Sequence, residues 1–261
     1  MAIVSIATNI YIEYWAHLAK SLDKFLEDPE SMQLHVFTDN IERAKEIALE
    51  LENISVEVWE IPPLRWPEAT LHRYRIIAHY APKLTQDFIM YLDADMVIES
   101  PFTIRSLAGL ANQSMCFVAH PGFYRPSGWA RAALYISRPQ LLKDDFLKVV
   151  AQGGLGAWES SVKSQAYVPK ISRKHYVCGG TWFGTREAVL GMCQLLDSRV
   201  AIDEESRVQA VWHDESHLNW FYANFPANIV DPRYCMNPEY PWLRGLPTVI
   251  RAVDKTERTR N

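Results

Sequence analysis

Apolar and polar positions alternate with two different periods along the first hundred residues. Ala2 to Ala7 is an unbroken apolar run, the pattern of a short buried strand. From Tyr11 to Leu26 apolar residues recur every three or four positions, which predicts an amphipathic helix. Leu34 to Thr38 is a second strand, and Asp39 or Asn40 is placed to cap a helix running through Leu51. Ile54 to Glu60 alternates as a third strand; Thr70 to Tyr80 is helical and stops before Pro82; Phe88 begins a fourth apolar run. This β-α-β-α-β-α-β order predicts an α/β fold with a mostly parallel central sheet flanked by helices. Ligands of such sheets bind beyond the carboxyl ends of the strands.

The fourth run leads into Asp93-Ala94-Asp95 before apolar residues resume. Read as a strand, side chains alternate, so both carboxylates face one way and Ala94 faces the core. Two acids presented together either bracket a divalent cation or end the strand as a solvated pair.

The second half is less regular. A helix is expected over Ile104–Leu110 and a strand over Met115–Ala119, followed by a fixed turn at His120-Pro-Gly that holds His120 at the sheet edge. Residues 125–158 are predicted partly helical, over 141–150, then flexible at Gly153-Gly154-Leu-Gly156. Ser164–Pro169 reads as extended. Tyr176–Gly184 is a glycine-rich strand or turn, where backbone can approach something bulky. Helices are expected from Arg186 to about Asp197 and from the Val211–Asn219 stretch to near Pro226. The tail after Leu246 is basic, and reads either as a frayed terminus or as a lid over an anion.

Composition narrows the classes. The 261 residues are 48% hydrophobic and 22% charged, ordinary globular material. A net charge of -4 and a pI near 6.1 argue against nucleic acid as the main partner. Cys116, Cys178, Cys193 and Cys235 have no C-x-x-C spacing and read as buried thiols in a reducing compartment. With no basic-then-apolar leader and no apolar run of about twenty residues, the expectation is a soluble, cytoplasmic protein.

Trp212-His213-Asp214-Glu215-Ser216-His217 is dense in chemistry. His213 and His217 have a zinc-ligand spacing, but a zinc protease wants Glu directly after the first His, and Asp214 intervenes. As the first turn of a helix, the adjacent acids are stabilised by its dipole. Arg73 reads as part of a solvated basic face or as a diphosphate contact, and Tyr11 as core or as a base-stacking ring.

His35-Val-Phe-Thr-Asp39, Arg65-Trp66, Asp93-Ala-Asp95-Met96, His120-Pro-Gly-Phe-Tyr124, Ser164-Gln-Ala-Tyr-Val-Pro169, Gly179-Gly180 and Ala210–Asn219 occur in this order. Together they resemble family 6 glycosyltransferases, which include the histo-blood-group A and B transferases and the α-1,3-galactosyltransferases. The resemblance spans nearly the whole chain and implies one GT-A catalytic domain. Residues 1–100 would bind the nucleotide sugar, 101–246 would carry the acceptor and catalytic groups, and 247–261 would close over the donor.

The implied reaction moves N-acetylgalactosamine, or less readily galactose, from a UDP-sugar in α-1,3 linkage to a galactoside, with retention. The acceptor could carry an α-1,2-fucose. Asp93 and Asp95 resemble the acids that hold Mn²⁺ (or Mg²⁺). Ile6, Ala7, Thr8 and Tyr11 resemble the uridine pocket. Arg73, Ala94, Cys178, Gly179, Gly180, His213 and Lys255 resemble further donor contacts, with Lys255 on the tail. Asp214 resembles a donor-sugar ligand and Glu215 the acid at the anomeric carbon, either a covalent nucleophile or an ion-pair stabiliser. His120, Trp212 and Glu215 resemble the acceptor side.

In this family the strand at Gly179-Gly180 sorts donors by side-chain bulk, and two glycines leave room for an acetamido group. Three features depart from the pattern: a longer stretch between Tyr124 and Trp158, Asn237 where an acid is expected, and Cys178. An inert sugar-binding module on the same fold and a metal-dependent nucleotidyltransferase are the competing readings. The first has no need of both a metal pair and Glu215; the second leaves Trp212–His217 unexplained.

Overall fold

The computed structural model describes residues 1–27, 31–112, 114–237 and 239–253. Its centre is a seven-stranded sheet. β1 (Ala2–Ile6), β2 (Gln33–Thr38), β3 (Ser55–Glu60) and β4 (Phe88–Leu92) run parallel in the order β3-β2-β1-β4. β7 (Val177–Thr185) then pairs antiparallel with β4 and with β6 (Met115–Ala119), and β8 (Asn228–Val230) closes the edge parallel to β6. β5 (Met96–Ile98) and β9 (Ile250–Ala252) form a separate two-stranded ribbon.

The unbroken apolar runs are explained by two cores, one on each face of the sheet. Ile3, Leu34, Val36, Met90 and Leu92 pack with Trp15, Leu18 and Leu22 of α1 (Tyr11–Phe25). Their neighbours Val4, Phe37, Ile89 and Tyr91 point to the opposite face. There they meet Tyr74 and Ile77 of α4 (Arg73–His79) and Val189, Cys193 and Leu196 of α8 (Arg186–Glu205). α2 (Ile41–Leu49) is capped by Asn40, whose side chain accepts from the Arg43 N–H.

Several elements differ from the sequence reading. The helix expected over 70–80 is two pieces, α3 (Glu68–Leu71) and α4, with the break at His72, where Arg73 Nε donates to the Thr70 carbonyl. Ser164–Ala166 turns rather than running extended. It folds into successive turns around Asp203, whose carboxylate takes the Ser164 hydroxyl at 2.6 Å and the Gln165 N–H at 2.7 Å. α8 runs past Asp197 to Glu205, because Val200 and Asp203 still face the interior.

Between β6 and β7, α6 (Gly128–Ser137) and α7 (Pro139–Gln152) form a helical pair after α5 (Ile104–Ala111). Trp129, Ile136, Phe146 and Val150 remain exposed there. Apolar residues on outward faces blur the periodicity, so only part of this pair is readable from sequence. Gly153–Gly156 is closely packed: a Cβ on Gly156 would lie 2.3 Å from Trp158 Nε1. All four cysteines are buried free thiols. Among the described residues no helix is long and apolar enough to cross a membrane.

Candidate active site

The carboxyl edge of the parallel strands carries the chemistry. Asp93-Ala94-Asp95 is a turn rather than a strand end: β4 stops at Leu92, and the Met96 N–H closes back on the Asp93 carbonyl at 3.1 Å. The acids therefore share a side through the turn, not through strand pleating. β7 holds it in place by accepting the Asp93 N–H at the Gly180 carbonyl, 2.9 Å, and the Val253 N–H reaches the Asp95 carbonyl at 2.8 Å. Ala94 is buried, yet it borders the cavity described next.

Two cavities meet at this turn. The first, about 370 Å³, lies over the ends of β1 and β4 and is lined by Ile6, Thr8, Tyr11, Leu64, Arg65, Trp66, Thr70, Arg73, Tyr91, Asp93, Ala94 and Asp95 among others. The second, about 240 Å³, is bordered by Asp93, Asp95, Met96, His120, Cys178, Gly179, Gly180, Glu215, Cys235, Asn237 and Tyr240. Asp93 and Asp95 belong to both walls. Tyr11 is exposed at the first cavity rather than packed in the core. Ala7 is fully buried and borders neither, giving its N–H to Phe37.

Arg73 ties the two cavities together. It is 3% exposed, so it is not part of a solvated basic face. Its Nε lies 3.2 Å from Asp214 Oδ2, and its Nη1 donates to the Gly179 carbonyl at 2.9 Å and stands 3.2 Å from Asp93 Oδ1. The Tyr91 hydroxyl donates to the same Asp93 oxygen at 2.8 Å, and the guanidinium lies 4.8 Å from the Tyr91 ring centre. Burial works against the arginine's charge, but Asp214 and Asp93 outweigh it and hold the group still further into its charged range. Burial raises the Asp214 carboxyl, and Arg73 only partly offsets this.

Asp214 and Glu215 sit in the first turn of α9 (His213–Asn224), where the helix dipole favours acids. The Tyr74 hydroxyl donates to the Asp214 carbonyl at 2.9 Å. Asn219 pins the helix to β7 by exchanging both amide bonds with Val177, at 2.8 and 2.9 Å, and by donating to the Glu215 carbonyl at 2.9 Å. Glu215 Oε2 accepts the Gly179 N–H at 2.8 Å. Burial lifts its carboxyl from 4.5 to about 7; the Gly179 bond opposes this and the neighbouring Asp214 adds to it.

His120 stands at the second cavity. Its Nδ1 accepts the Gly122 N–H at 3.0 Å, which places the ring proton on Nε2. Burial lowers its pKa to about 4, so the ring is neutral at ordinary pH.

Other expected residues fall elsewhere. Trp212 is 54% exposed and borders neither cavity. His213, at φ 47°, lies edge-on to Trp66 at 4.9 Å and reaches the first cavity only through that ring. His217 is buried against Asp203 at 3.5 Å, in surroundings different from those of His213, so the two do not converge as zinc ligands. Lys255 lies outside the described residues. Tyr74, Tyr91 and Tyr176 do not stand out from sequence, since aromatic residues in apolar runs carry the same signal as core.

A mostly parallel α/β sheet flanked by helices, with paired acids at its carboxyl edge where two cavities join, is consistent with a GT-A-like glycosyltransferase fold. Residues 146–261 match the model of Glycosyltransferase family 6. The chain is 27% identical over 223 residues to histo-blood group ABO system transferase 1 of Rattus norvegicus, covering 83% of this chain and 54% of the relative. It is 21% identical over 239 residues to globoside alpha-1,3-N-acetylgalactosaminyltransferase 1 of Homo sapiens, covering 90% and 60%. The family 6 similarity thus lies over residues 146–261, a little under half of the chain. The chain spans little more than half the length of these relatives.

Proposed function

We propose that this chain transfers N-acetylgalactosamine from UDP to a galactoside hydroxyl, forming an α-1,3 bond with retention of configuration. The observation that carries this reading is the junction: Asp93 and Asp95 border both cavities, and Glu215 borders the second beside them. In this reading the first cavity takes the uridine diphosphate, with Tyr11 and Trp66 offering rings to the base, and the second takes the transferred sugar and the acceptor.

The donor set at the turn fits a hard divalent cation. Asp93 Oδ1 is engaged by Tyr91 and Arg73, while Oδ2 makes no hydrogen bond among the described residues. Carboxylate oxygens suit Mn²⁺ or Mg²⁺, which leave further positions to phosphate oxygens and water. Such an ion, held by Asp93 and Asp95, would neutralise charge on the departing diphosphate.

The chain's own residues do the rest. Arg73 fixes Asp93 and Asp214 relative to each other. Asp214 meets donor-sugar hydroxyls. Ionised Glu215, aimed by the Gly179 N–H, meets the anomeric carbon as its bond to the UDP oxygen breaks, by covalent bond or ion pair. The acceptor oxygen forms the new bond and its proton goes to the leaving phosphate. His120 Nε2–H donates to an acceptor hydroxyl.

Donor choice turns on Gly179. A Cβ at Gly180 would meet Met96 Cε at 2.4 Å and Asp93 Oδ2 at 2.9 Å, so that space is already filled. At Gly179 the nearest atoms are Asp214 Oδ2 at 3.2 Å and two Glu215 side-chain atoms at 3.5 Å. In this reading the acetamido group lies nearer Gly179, the less crowded of the two glycines.

The test is UDP release from UDP-N-acetylgalactosamine and UDP-galactose, with plain and α-fucosylated β-galactosides. Each is run in EDTA and after Mn²⁺ or Mg²⁺ is restored. Release from the N-acetylgalactosamine donor, abolished by EDTA, is expected. Unchanged turnover in Glu215→Gln or Asp95→Asn would sink the assigned roles. Binding of galactosides with no affinity for UDP would favour a sugar-binding module.

A further inference from the structure

A third cavity, about 290 Å³, opens between the α6–α7 pair and β7. Its walls include Phe123, Tyr124, Tyr176, Arg131, Lys174 and His175, and no Asp or Glu is among its lining residues. Arg125 also borders it, but that charge is already answered: Asp145 takes Arg125 Nε at 2.6 Å and Nη2 at 2.8 Å, and the Tyr135 hydroxyl at 2.9 Å. Arg131 gives only its Nε, to the Pro126 carbonyl at 2.8 Å. Among the described residues neither Arg131 nor Lys174 pairs with a carboxylate. On a chain of net charge -4, this is a cationic recess left without counter-charge.

The recess adjoins the second cavity through a shared partition. His120, on the second cavity, packs against Phe123 at 5.0 Å and Tyr176 at 5.7 Å, and those two rings lie 5.2 Å apart. Both rings line the third cavity. A glycan whose galactose meets His120 would therefore have its next sugars beside the partly exposed Phe123 and two uncommitted cations. Flat apolar rings stack on sugar faces, and a guanidinium next to an ammonium selects a carboxylate or phosphate.

We infer that the third cavity is an acceptor subsite for an anionic group, a sugar carboxylate or a sugar phosphate, carried by the glycan next to the accepting galactose. This rests on the glycosyltransferase reading above and names its acceptor class. The segment that builds the recess is the stretch between Tyr124 and Trp158 that departs from the expected family pattern.

The test compares three acceptors with the same terminal β-galactose: a neutral disaccharide, one extended by glucuronic acid, and one extended by a sugar phosphate. The wild type is expected to show a kcat/KM about tenfold higher for at least one anionic acceptor, mainly through KM. That ratio should fall towards one in Arg131→Ala/Lys174→Ala, and in the wild type as salt rises from 0.05 to about 0.5 M. Whichever anion gives the larger ratio identifies the source. Equal kcat/KM for all three acceptors, or a double variant that keeps the ratio, overturns the inference. If no acceptor yields UDP, the transfer reading fails separately. Saturation-transfer NMR with the glucuronic-acid glycan then still tests the subsite. A transfer signal that disappears in the double variant supports it; a signal missing from the wild type, or unchanged in the variant, overturns it.

Discussion

In the proposed reaction Glu215 faces two demands that conflict, and Glu215→Gln separates them. Chemistry at an anomeric carbon needs the carboxylate ionised, whereas burial raises this carboxyl from 4.5 to about 7. Since the folded value lies above the unfolded one, the group's contribution favours folding below pH 4.5 and is lost as pH rises through about 7. At roughly 1.4 kcal/mol per pH unit, ionising Glu215 in the fold costs about 3 kcal/mol at pH 8 and under about 1 kcal/mol at pH 5.

Glutamine keeps an oxygen for the Gly179 N–H and never ionises. The stability of Glu215→Gln relative to wild type should therefore rise by about 2–3 kcal/mol between pH 5 and pH 8. That corresponds to about 5–10 °C in Tm for a chain of this size. Urea unfolding of both proteins at pH 5, 6, 7 and 8, in EDTA and without nucleotide, measures the difference directly. A difference that does not change with pH would refute the burial argument. The same ionisation predicts that kcat/KM rises with pH through about 7, whereas the variant lacks turnover at every pH.

Arg73→Ala leaves Asp93 and Asp214 without their shared cation; a loss of about 3–5 kcal/mol in urea unfolding is expected, and adding Asp214→Asn should recover part of it. Gly180→Ala drives a methyl into Met96 and Asp93, so UDP-sugar turnover should fall more than tenfold, with partial recovery in Gly180→Ala/Met96→Ala. Gly179→Ala meets only carboxylate side chains at 3.2 Å and beyond, so it should fold normally and shift donor preference from N-acetylgalactosamine towards galactose. Asn219→Ala, which frees α9 from β7 and strips two Val177 backbone bonds, should destabilise by about 2–3 kcal/mol, read by thermal melting.

The parallel half of the fold is legible in the sequence because its strands are buried on both faces, so each apolar run is continuous and bounded by helical periodicity. β5, β8 and β9 are not, for a different reason. Each is three residues long, too short for any period, and β9 exists only because Met96–Ile98 pairs with Ile250–Ala252 from the far end of the chain. The site divides along the same line. Asp93, Asp95, Asp214 and Glu215 stand out as acids in apolar surroundings, a cost that asks for a function. Arg73 cannot be resolved by pattern, because a helical arginine between His72 and Arg75 carries the same signal whether buried or solvated. Tyr91 and Asn219 are recognisable only once the Asp93 oxygen and the Val177 backbone they hold are in place.

What joins the two acid pairs is the pairing of the sheet with one buried charge. Asp93 follows β4, Gly179 and Gly180 lie on the antiparallel neighbour β7, and α9 docks on β7 through Asn219. Arg73, at the start of α4, contacts all three, at Asp93, the Gly179 carbonyl and Asp214. Asp93 and Asp214 share that single guanidinium. In the proposed reaction, a cation offsetting the departing diphosphate would be held at the Asp93–Asp95 turn, where the two cavities join. The raised pKa of Glu215 comes chiefly from its own burial, with Asp214 adding to it while the Gly179 N–H and Arg73 oppose it.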